Sequence, residues 1–116
     1  MALGEPGIVA VVFRSPARFM RIDQGTGREM SRSKVCGDAD DIFFDANRKR
    51  YYISCGAGTV DAFQMAGTDV QALASVATSE GARTSLFVPN LDRLFVAARA
   101  GLLGSNASIR VMRPVP

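Results

Sequence analysis

Three aspartates that could bind a cation lie within one four-residue segment, at Asp38, Asp40 and Asp41. Closely spaced carboxylates can supply the oxygen ligands that hard cations such as calcium require. The segment does not fit an EF-hand, however, because it has no glycine at the sixth loop position and no glutamate at the twelfth. Aspartates at strand starts also commonly cap a turn by accepting hydrogen bonds from nearby backbone. We favour turn capping and leave open whether a metal binds.

Three arginines could meet these carboxylates in the folded chain, namely Arg14, Arg83 and Arg99. A guanidinium group donates paired hydrogen bonds to a carboxylate or a phosphate, so these arginines suit an anionic ligand. The alternative is that they form ion pairs with the aspartates, and for Arg14 and Arg83 we favour that interpretation. The candidate ligand-binding residues are therefore Arg14, Asp38, Asp40, Asp41, Arg83 and Arg99.

No histidine occurs among the 116 residues, and its absence removes several classes of catalytic site. A Ser-His-Asp or Cys-His nucleophile, a histidine-ligated zinc or haem, and an imidazole pH switch are all excluded. No other complete catalytic set is present, so the sequence predicts no catalytic residue and no cofactor. We therefore favour a non-enzymatic module over an enzyme.

The two cysteines, Cys36 and Cys55, form no C-x-x-C motif and have no further Cys or His to complete a metal site. They could form one disulfide. Two unpaired thiols that pack as small buried hydrophobic side chains are the more common arrangement, and we expect that arrangement here. The sequence therefore leaves the redox compartment open.

The charge balance is mildly basic, with 14 Lys and Arg against 11 Asp and Glu and a formal net charge of +3. The one compact basic run is Arg48-Lys49-Arg50. Nucleic-acid binding would need a basic stripe with interleaved aromatic side chains, whereas Tyr51 and Tyr52, which follow this run, fit a strand. We therefore expect a solvated turn at 48–50 and no nucleic-acid partner.

The N-terminal segment lacks the features of a signal peptide, because it has no basic region and carries Glu5 and Pro6 early. No segment approaches the roughly 18 consecutive apolar residues of a membrane helix. We therefore expect a soluble chain with no membrane span and no targeting segment.

Apolar residues occur in short alternating runs separated by turn-forming residues, which indicates β-strands rather than helices. The run Ile8–Phe13 ends at Arg14-Ser15-Pro16, and Phe19–Ile22 ends at the polar segment 23–27. The segment Val70–Thr78 has partly helical spacing, but its context favours a strand. The other predicted strands are Arg28–Val35, Ile42–Phe44, Tyr51–Cys55 and Val60–Met65, and three more follow residue 81.

The sequence also contains an internal repeat. Residues 37–44 resemble residues 81–88 at a shift of 44, and residues 50–54 resemble residues 93–97 at a shift of 43. A period of roughly 40–45 residues that holds four short strands is typical of a β-propeller blade. A small β-sandwich is the alternative, but the strands of a sandwich need not resemble one another at a fixed spacing.

We therefore predict an all-β fold, a β-propeller fragment with ten strands in about two and a half four-stranded antiparallel blades. Within this single domain, an incomplete blade spans 1–36, a complete blade 37–80 and a second incomplete blade 81–116. The aromatic side chains recur at strand-core positions and are expected to pack between blades. They are Phe43, Phe44, Tyr52, Phe63, Phe87 and Phe95.

In such a fold, the loops that enter each blade and the loops between its second and third strands open at the same end. The pattern predicts these loops at 14–18, 37–41, 56–58, 81–85 and 99–108. All six candidate ligand-binding residues would then meet at one end of the molecule, although they are distant in sequence.

Four segments from residue 14 onward, 14–18, 37–45, 81–89 and 109–114, have the sequences RSPAR, GDADDIFFD, GARTSLFVP and IRVMRP. On these segments, the chain resembles the YncE-like (YVTN-repeat) β-propeller proteins. The resemblance covers only about the last third of a typical family member. The resemblance implies a binding or interaction scaffold from a largely periplasmic or secreted family, and it points to no catalytic residue.

The function predicted first is therefore that of a YncE-like repeat protein, a fragment of a larger propeller, with a protein or small-molecule ligand at the loop end. The alternative is a metal-dependent lactonase-like or quinoprotein-like propeller enzyme, in which acidic loop residues hold a metal. A fragment of two and a half blades would also leave two apolar end faces exposed. Copies of the chain could then associate through these faces as a homo-oligomer.

Overall fold

Antiparallel β-sheets make up the fold, and three of them are seen in the part of the chain that the structure describes. The computed structural model describes residues 1–101, 104 and 106–116, and we name its sheets A, B and C in chain order. Most strands pair with the strand that precedes them in sequence, as short connections favour. The predicted all-β class with antiparallel sheets is confirmed. Within the described residues, the sheets do not close a ring.

Sheet A contains one strand more than the sequence predicted. The additional strand, β1, lies at the sheet edge, where Leu3 pairs with Val9. At the opposite edge, the Asp23 carboxylate stabilises a turn by accepting hydrogen bonds from the backbone N–H groups of Gly25 and Thr26 at 2.8 and 2.9 Å. The strands of sheet A are β1 (Ala2–Leu3), β2 (Ile8–Arg14), β3 (Ala17–Asp23) and β4 (Glu29–Lys34).

In sheet B, two short strands are found where the sequence predicted the single strand Val70–Thr78. Both of them pair with β7, one along Phe63–Ala66 and the other at Thr59 and Val60. The Asp61 carboxylate accepts a hydrogen bond from the hydroxyl of Ser75, which lies between the two short strands, at 2.5 Å. The strands of sheet B are β5 (Ala39–Asp45), β6 (Arg50–Cys55), β7 (Thr59–Ala66), β8 (Asp69–Ala72) and β9 (Val76–Ala77).

Sheet C consists of three strands, as the sequence predicted, within the residues that the structure describes. A single 3-10 turn at Pro89–Leu91 joins the first two of its strands. Residues 102, 103 and 105 of the predicted loop 99–108 lie outside the described residues. The strands of sheet C are β10 (Ser85–Val88), β11 (Arg93–Ala98) and β12 (Ser108–Met112).

Sheet B lies between the other two sheets, and each of its faces is part of a hydrophobic core. Phe19 of sheet A packs against Phe63 of sheet B with 5.1 Å between ring centroids, and Tyr52 of sheet B packs against Phe87 of sheet C at 5.2 Å. All six residues of β6 are buried, because this strand is covered on both sides. The predicted aromatic packing is confirmed for Tyr52, Phe63 and Phe87.

The cysteines form a disulfide, so the expectation of two unpaired thiols was wrong. In the register of β5 and β6, Ala39 lies opposite Cys55. This pairing brings the segment just before β5 beside the end of β6, and the Cα atoms of Cys36 and Cys55 are 5.8 Å apart. That separation suits a disulfide. The disulfide therefore joins the connection between sheets A and B to the end of β6, a strand in the interior of sheet B.

The first hairpin turn of each sheet ends in the same way, and the turns of sheets B and C also have the same length, with four residues between Asp45 and Arg50 and between Val88 and Arg93. The residue immediately before the second strand of each sheet has a positive φ, at Gly7 (82°), Lys49 (53°) and Asp92 (53°). Lys49 and Asp92 are 43 residues apart, and so are the paired residues Phe43 and Leu86, which lie opposite Tyr52 and Phe95. The structural repeat is thus 43 residues throughout this hairpin, which corrects the shift of 44 inferred for its first strand.

Candidate functional site

Loops from different sheets meet at one end of the molecule, which we call the loop end. The backbone N–H of Gly56 donates to the carbonyl of Asp38 at 2.9 Å, and the N–H of Gly81 donates to the carbonyl of Gly56 at 2.6 Å. The loop that precedes β5, the turn between β6 and β7 and the loop that precedes β10 are therefore stacked on one another. This is the set of loops in which the sequence placed most of the candidate residues.

Asp38 is at the centre of the loop end, where it accepts hydrogen bonds from two arginines. Its Oδ1 atom accepts from Nε of Arg14 at 2.6 Å, and its Oδ2 atom accepts from Nε of Arg83 at 3.0 Å. Nη2 of Arg83 also lies 2.7 Å from Oδ2. One carboxylate thus joins the end of sheet A to the loop that enters sheet C, as the ion-pair interpretation of Arg14 and Arg83 predicted.

The backbone at the loop end is shaped for this contact. Asp38 has a φ of 57°, a left-handed conformation that aspartate tolerates better than most residues. A Cβ atom at Gly56 would overlap the Asp38 carboxylate, so only glycine lets the carboxylate lie this close to the turn. The hydrogen bond from Arg14, and then that from Arg83, hold the pKa of Asp38 below its ordinary value despite some desolvation.

The remaining candidate residues lie near this ion-pair cluster but have other contacts. Asp41 caps the start of β10, since its Oδ2 atom accepts a hydrogen bond from the backbone N–H of Ser85 at 2.8 Å. Asp40 lies in a β-bulge, and its charge helps to raise the pKa of Arg14, although the hydrogen bond to Asp38 is the larger cause. Arg99 packs over Gly81, where a Cβ atom would overlap its guanidinium group.

The three aspartates do not form a cation site. Within residues 1–101, 104 and 106–116, no group of three Cys, Asp or Glu side chains is arranged to hold a metal ion. The two oxygens of Asp38 accept from arginines, and Asp41 caps a backbone N–H. Turn capping and ion pairing, which the sequence analysis favoured, therefore account for the contacts of both residues.

A shallow groove of about 420 Å³ lies beside Arg99 at the loop end. Most of the residues that line it have small side chains, so an extended segment fits it better than a bulky group. The described residues that line it are Gly81, Thr84, Ala97, Ala98, Arg99, Ala107, Ser108 and Ile109.

Sequence reasoning missed a buried polar cluster between sheets A and B. The guanidinium group of Arg21, which is 3% exposed, donates to Glu5 and to the carbonyl of Thr68. The second carboxylate oxygen of Glu5 accepts a hydrogen bond from the hydroxyl of Tyr51. Burial opposes the ionisation of Glu5, but the hydrogen bonds from Tyr51 and Arg21 outweigh it and hold its pKa below the ordinary value.

A second polar cluster links the hairpin turns of sheets B and C. Arg48 donates to Asp92 at 2.6 and 2.7 Å and to Asp45 at 3.0 Å, and Asp45 also accepts from the hydroxyl of Tyr52 at 2.7 Å. Asp45 is buried, yet the hydrogen bonds from Tyr52 and Arg48 outweigh desolvation and lower its pKa. Arg50 is 8% exposed. The expectation of a solvated turn at 48–50 was therefore wrong for Arg50, which is buried and donates to Gln64 and to the carbonyl of Val115. Arg48 is 20% exposed at the side chain and forms ion pairs with Asp45 and Asp92.

These carboxylates lead us to expect that the free energy of unfolding falls as the pH drops below about 5. A carboxyl group whose folded-state pKa is depressed stabilises the fold above its unfolded pKa, and this contribution is lost as the pH falls through the folded pKa. Glu5 and Asp45 both belong to this class. Urea unfolding from about pH 7 to about pH 3 would measure the fall. The Glu5→Gln variant should show a shallower fall, and an equal pH dependence in both proteins would contradict this assignment.

No protein-family model matches this sequence, and no curated protein is significantly similar to it. Among the described residues, no helix is long and apolar enough to cross a membrane. The geometry of the loop end and of the sheet faces is therefore the basis for the functional argument.

Proposed function

We propose that this chain consists of YncE-like β-propeller repeats and acts as a binding scaffold, with its ligand at the loop end. The proposal is supported by the recurrence of one hairpin at a 43-residue shift in sheets B and C and by the positive-φ residue that ends the first hairpin turn of all three sheets. The packing of sheet B between the other two sheets also supports it. Repeated sheets of this kind present their connecting loops at common ends, and a binding surface can be assembled there from segments distant in sequence.

The observation that carries the proposed function is the pair of arginines that flank Asp38. Arg14 donates its Nε–H to Asp38, and its side chain is 56% exposed, so N–H groups at its tip are accessible to a partner. Arg83 is 37% exposed at the side chain. Asp38 fixes the positions of both guanidinium groups before a ligand arrives, which lowers the entropy lost on binding.

Such preorganised donors suit a carboxylate-bearing partner, because guanidinium groups bind carboxylates with paired hydrogen bonds. The groove beside Arg99 is shallow and open, so it favours an extended acidic protein segment over a small molecule that would need an enclosed pocket. In this proposal Arg14, Arg83 and Arg99 contact the acidic segment. Asp38 positions two of these arginines, while Asp40 and Asp41 shape the loops that carry them.

A labelled oligoglutamate peptide provides a direct test. We expect fluorescence anisotropy to show binding that weakens with added salt, and Arg14→Gln to weaken it by about tenfold or more, as loss of one charge-assisted hydrogen bond predicts. Arg28→Gln is the matched control, since Arg28 is an exposed arginine in the β3–β4 turn. An absence of binding, or an equal loss in both variants, would contradict the proposed function.

A further inference from the structure

The outer face of sheet C is equivalent to the face of sheet B that is buried against sheet C. In sheet B, Tyr52 lies between Phe43 and Ala62, and the corresponding register in sheet C places Phe95 between Leu86 and Val111. The match continues at the next pair, since Ser54 lies opposite Val60 as Ala97 lies opposite Ile109. These positions on the face of sheet B that packs on sheet C thus have counterparts on the outer face of sheet C.

Three of these counterparts are exposed apolar side chains in sheet C. Leu86, Ile109 and Val111 are 57%, 62% and 57% exposed, and Phe95 is half-buried. In sheet B, Val60, the equivalent of Ile109, is 5% exposed, and Tyr52, the equivalent of Phe95, is 6% exposed, while Phe43 and Ala62 are partly buried. An exposed apolar patch of several neighbouring side chains on a sheet usually marks an interaction surface.

The polar groups of the buried face have also been replaced in sheet C. The positions of Asp45, Arg48 and Tyr52, which form the polar cluster of sheet B, correspond at a shift of 43 to three apolar residues. Those residues are Val88, Leu91 and Phe95. At these three positions the outer face of sheet C is therefore apolar where the equivalent, covered face of sheet B is polar.

The outer face of sheet A is apolar as well, and it corresponds to the opposite face of the repeated sheet from the one that is exposed on sheet C. Val9 lies between Leu3 and Ile22, in the register in which Leu94 lies between Phe87 and Met112 in sheet C. Phe87 and Leu94 belong to the face of sheet C that packs on sheet B. The outer face of sheet A thus corresponds to a face that, elsewhere in this chain, packs on the preceding sheet.

The sheets stack in one direction along the chain. We call the face of a sheet that packs on the next sheet its later face, and the face that packs on the preceding sheet its earlier face. Sheet A packs on sheet B in this way, and sheet B packs on sheet C. The free later face is on sheet C and the free earlier face is on sheet A. A second copy of the chain therefore carries the kind of face that each free surface would bind.

We propose that copies of this chain associate head to tail, with the outer face of sheet C of one copy packed on the outer face of sheet A of the next. The proposal rests on strand register and exposure, and it does not depend on the ligand of the loop end. Because the two surfaces differ, the contact is heterologous and produces a ring where the rotation closes or a filament where it does not.

Size-exclusion chromatography with light scattering tests the proposal on the 116-residue chain. We expect a mass above the monomer mass of 12.4 kDa that rises with concentration or reaches a closed ring. The double variants Ile109→Glu/Val111→Glu on sheet C and Leu3→Glu/Phe13→Glu on sheet A should each be monomeric, because they place charges on one of the two proposed contact faces. All four side chains are exposed in the single chain, so the substitutions should leave its fold intact. Val115→Glu, at another exposed apolar side chain, should associate as the parent does. A monomeric parent protein would overturn the proposal.

A mixture of the two double variants identifies which faces meet. The sheet C variant keeps its sheet A face and the sheet A variant keeps its sheet C face, so the mixture should form a one-to-one dimer and nothing larger. If copies instead met through identical faces, at least one variant would dimerise alone and the mixture would form no mixed dimer. That second outcome would overturn the head-to-tail arrangement.

Discussion

Replacement of Arg21 by methionine should lower the free energy of unfolding by about 3 kcal/mol, as expected when one partner of a buried ion pair is removed. Arg21 is 3% exposed, and its guanidinium group donates to Glu5 at 2.9 Å, to the hydroxyl of Ser31 at 3.2 Å and to the carbonyl of Thr68 at 3.0 Å. Methionine fills a similar volume but leaves all three acceptors without this donor. Urea unfolding followed by circular dichroism measures the change.

Two further variants separate the buried cluster from the general effect of losing an arginine. Arg32→Met removes an arginine that pairs with Glu29 on the surface of sheet A, where the side chain is 58% exposed. This substitution should lower the free energy of unfolding by less than about 1 kcal/mol. The double variant Arg21→Met/Glu5→Gln should be more stable than Arg21→Met alone, since it no longer holds a largely buried carboxylate without its cationic partner. A loss in Arg32→Met as large as that in Arg21→Met would contradict the argument.

Local sequence patterns predicted most of the strands, because alternation and turn residues act over a few positions. Strand β2, for example, was expected at Ile8–Phe13 and is found at Ile8–Arg14. Strand β1 was missed because it has two residues, Ala2 and Leu3, and no pattern of its own. Its position depends on pairing with β2, and the sequence signal that could have shown it is the Gly4-Glu5-Pro6-Gly7 turn between the two strands.

Part of the loop-end cluster was predicted, because the period of the repeat indicates which loops lie at the same end although they are far apart in sequence. The period placed Arg14, Asp38 and Arg83 at one end, and their ion pairs follow from charge. Nothing in the sequence around Arg99 indicated that its guanidinium group would lie over Gly81 rather than beside a carboxylate. That outcome depends on backbone geometry at Gly81, where φ is 81°.

The partners within the buried clusters could not be predicted, because they depend on how one sheet packs on another. Arg21 alternates with Phe19 on β3, and Phe19 is buried, so the alternation itself indicated an inward arginine. Its partners Glu5 and Tyr51 come from a turn of sheet A and from a strand of sheet B. Only the stacking of the two sheets brings them together, and local patterns contain no information on that stacking.

Removal of the disulfide should also destabilise the fold by about 3 kcal/mol, as expected for a cross-link that closes a loop of this length. Cys36 and Cys55 are separated by 19 residues, and the cross-link restricts the unfolded chain more than the folded one. The comparison of oxidised and reduced protein by urea unfolding isolates the cross-link, since no side chain is changed. The Cys36→Ala/Cys55→Ala variant should match the reduced protein to within the effect of its small cavity, because Cys55 is fully buried.

Thiol titration of the native protein provides the independent check on this prediction. With the disulfide formed, no thiol should react before or after unfolding in the absence of a reductant, because the described residues contain no free cysteine. After reduction, Cys36 should react first, since Cys55 is 0% exposed and is reached only when the end of β6 opens. Two thiols that react on unfolding without reductant, or equal stability of the oxidised and reduced proteins, would show that the cross-link does not hold this end of the fold together.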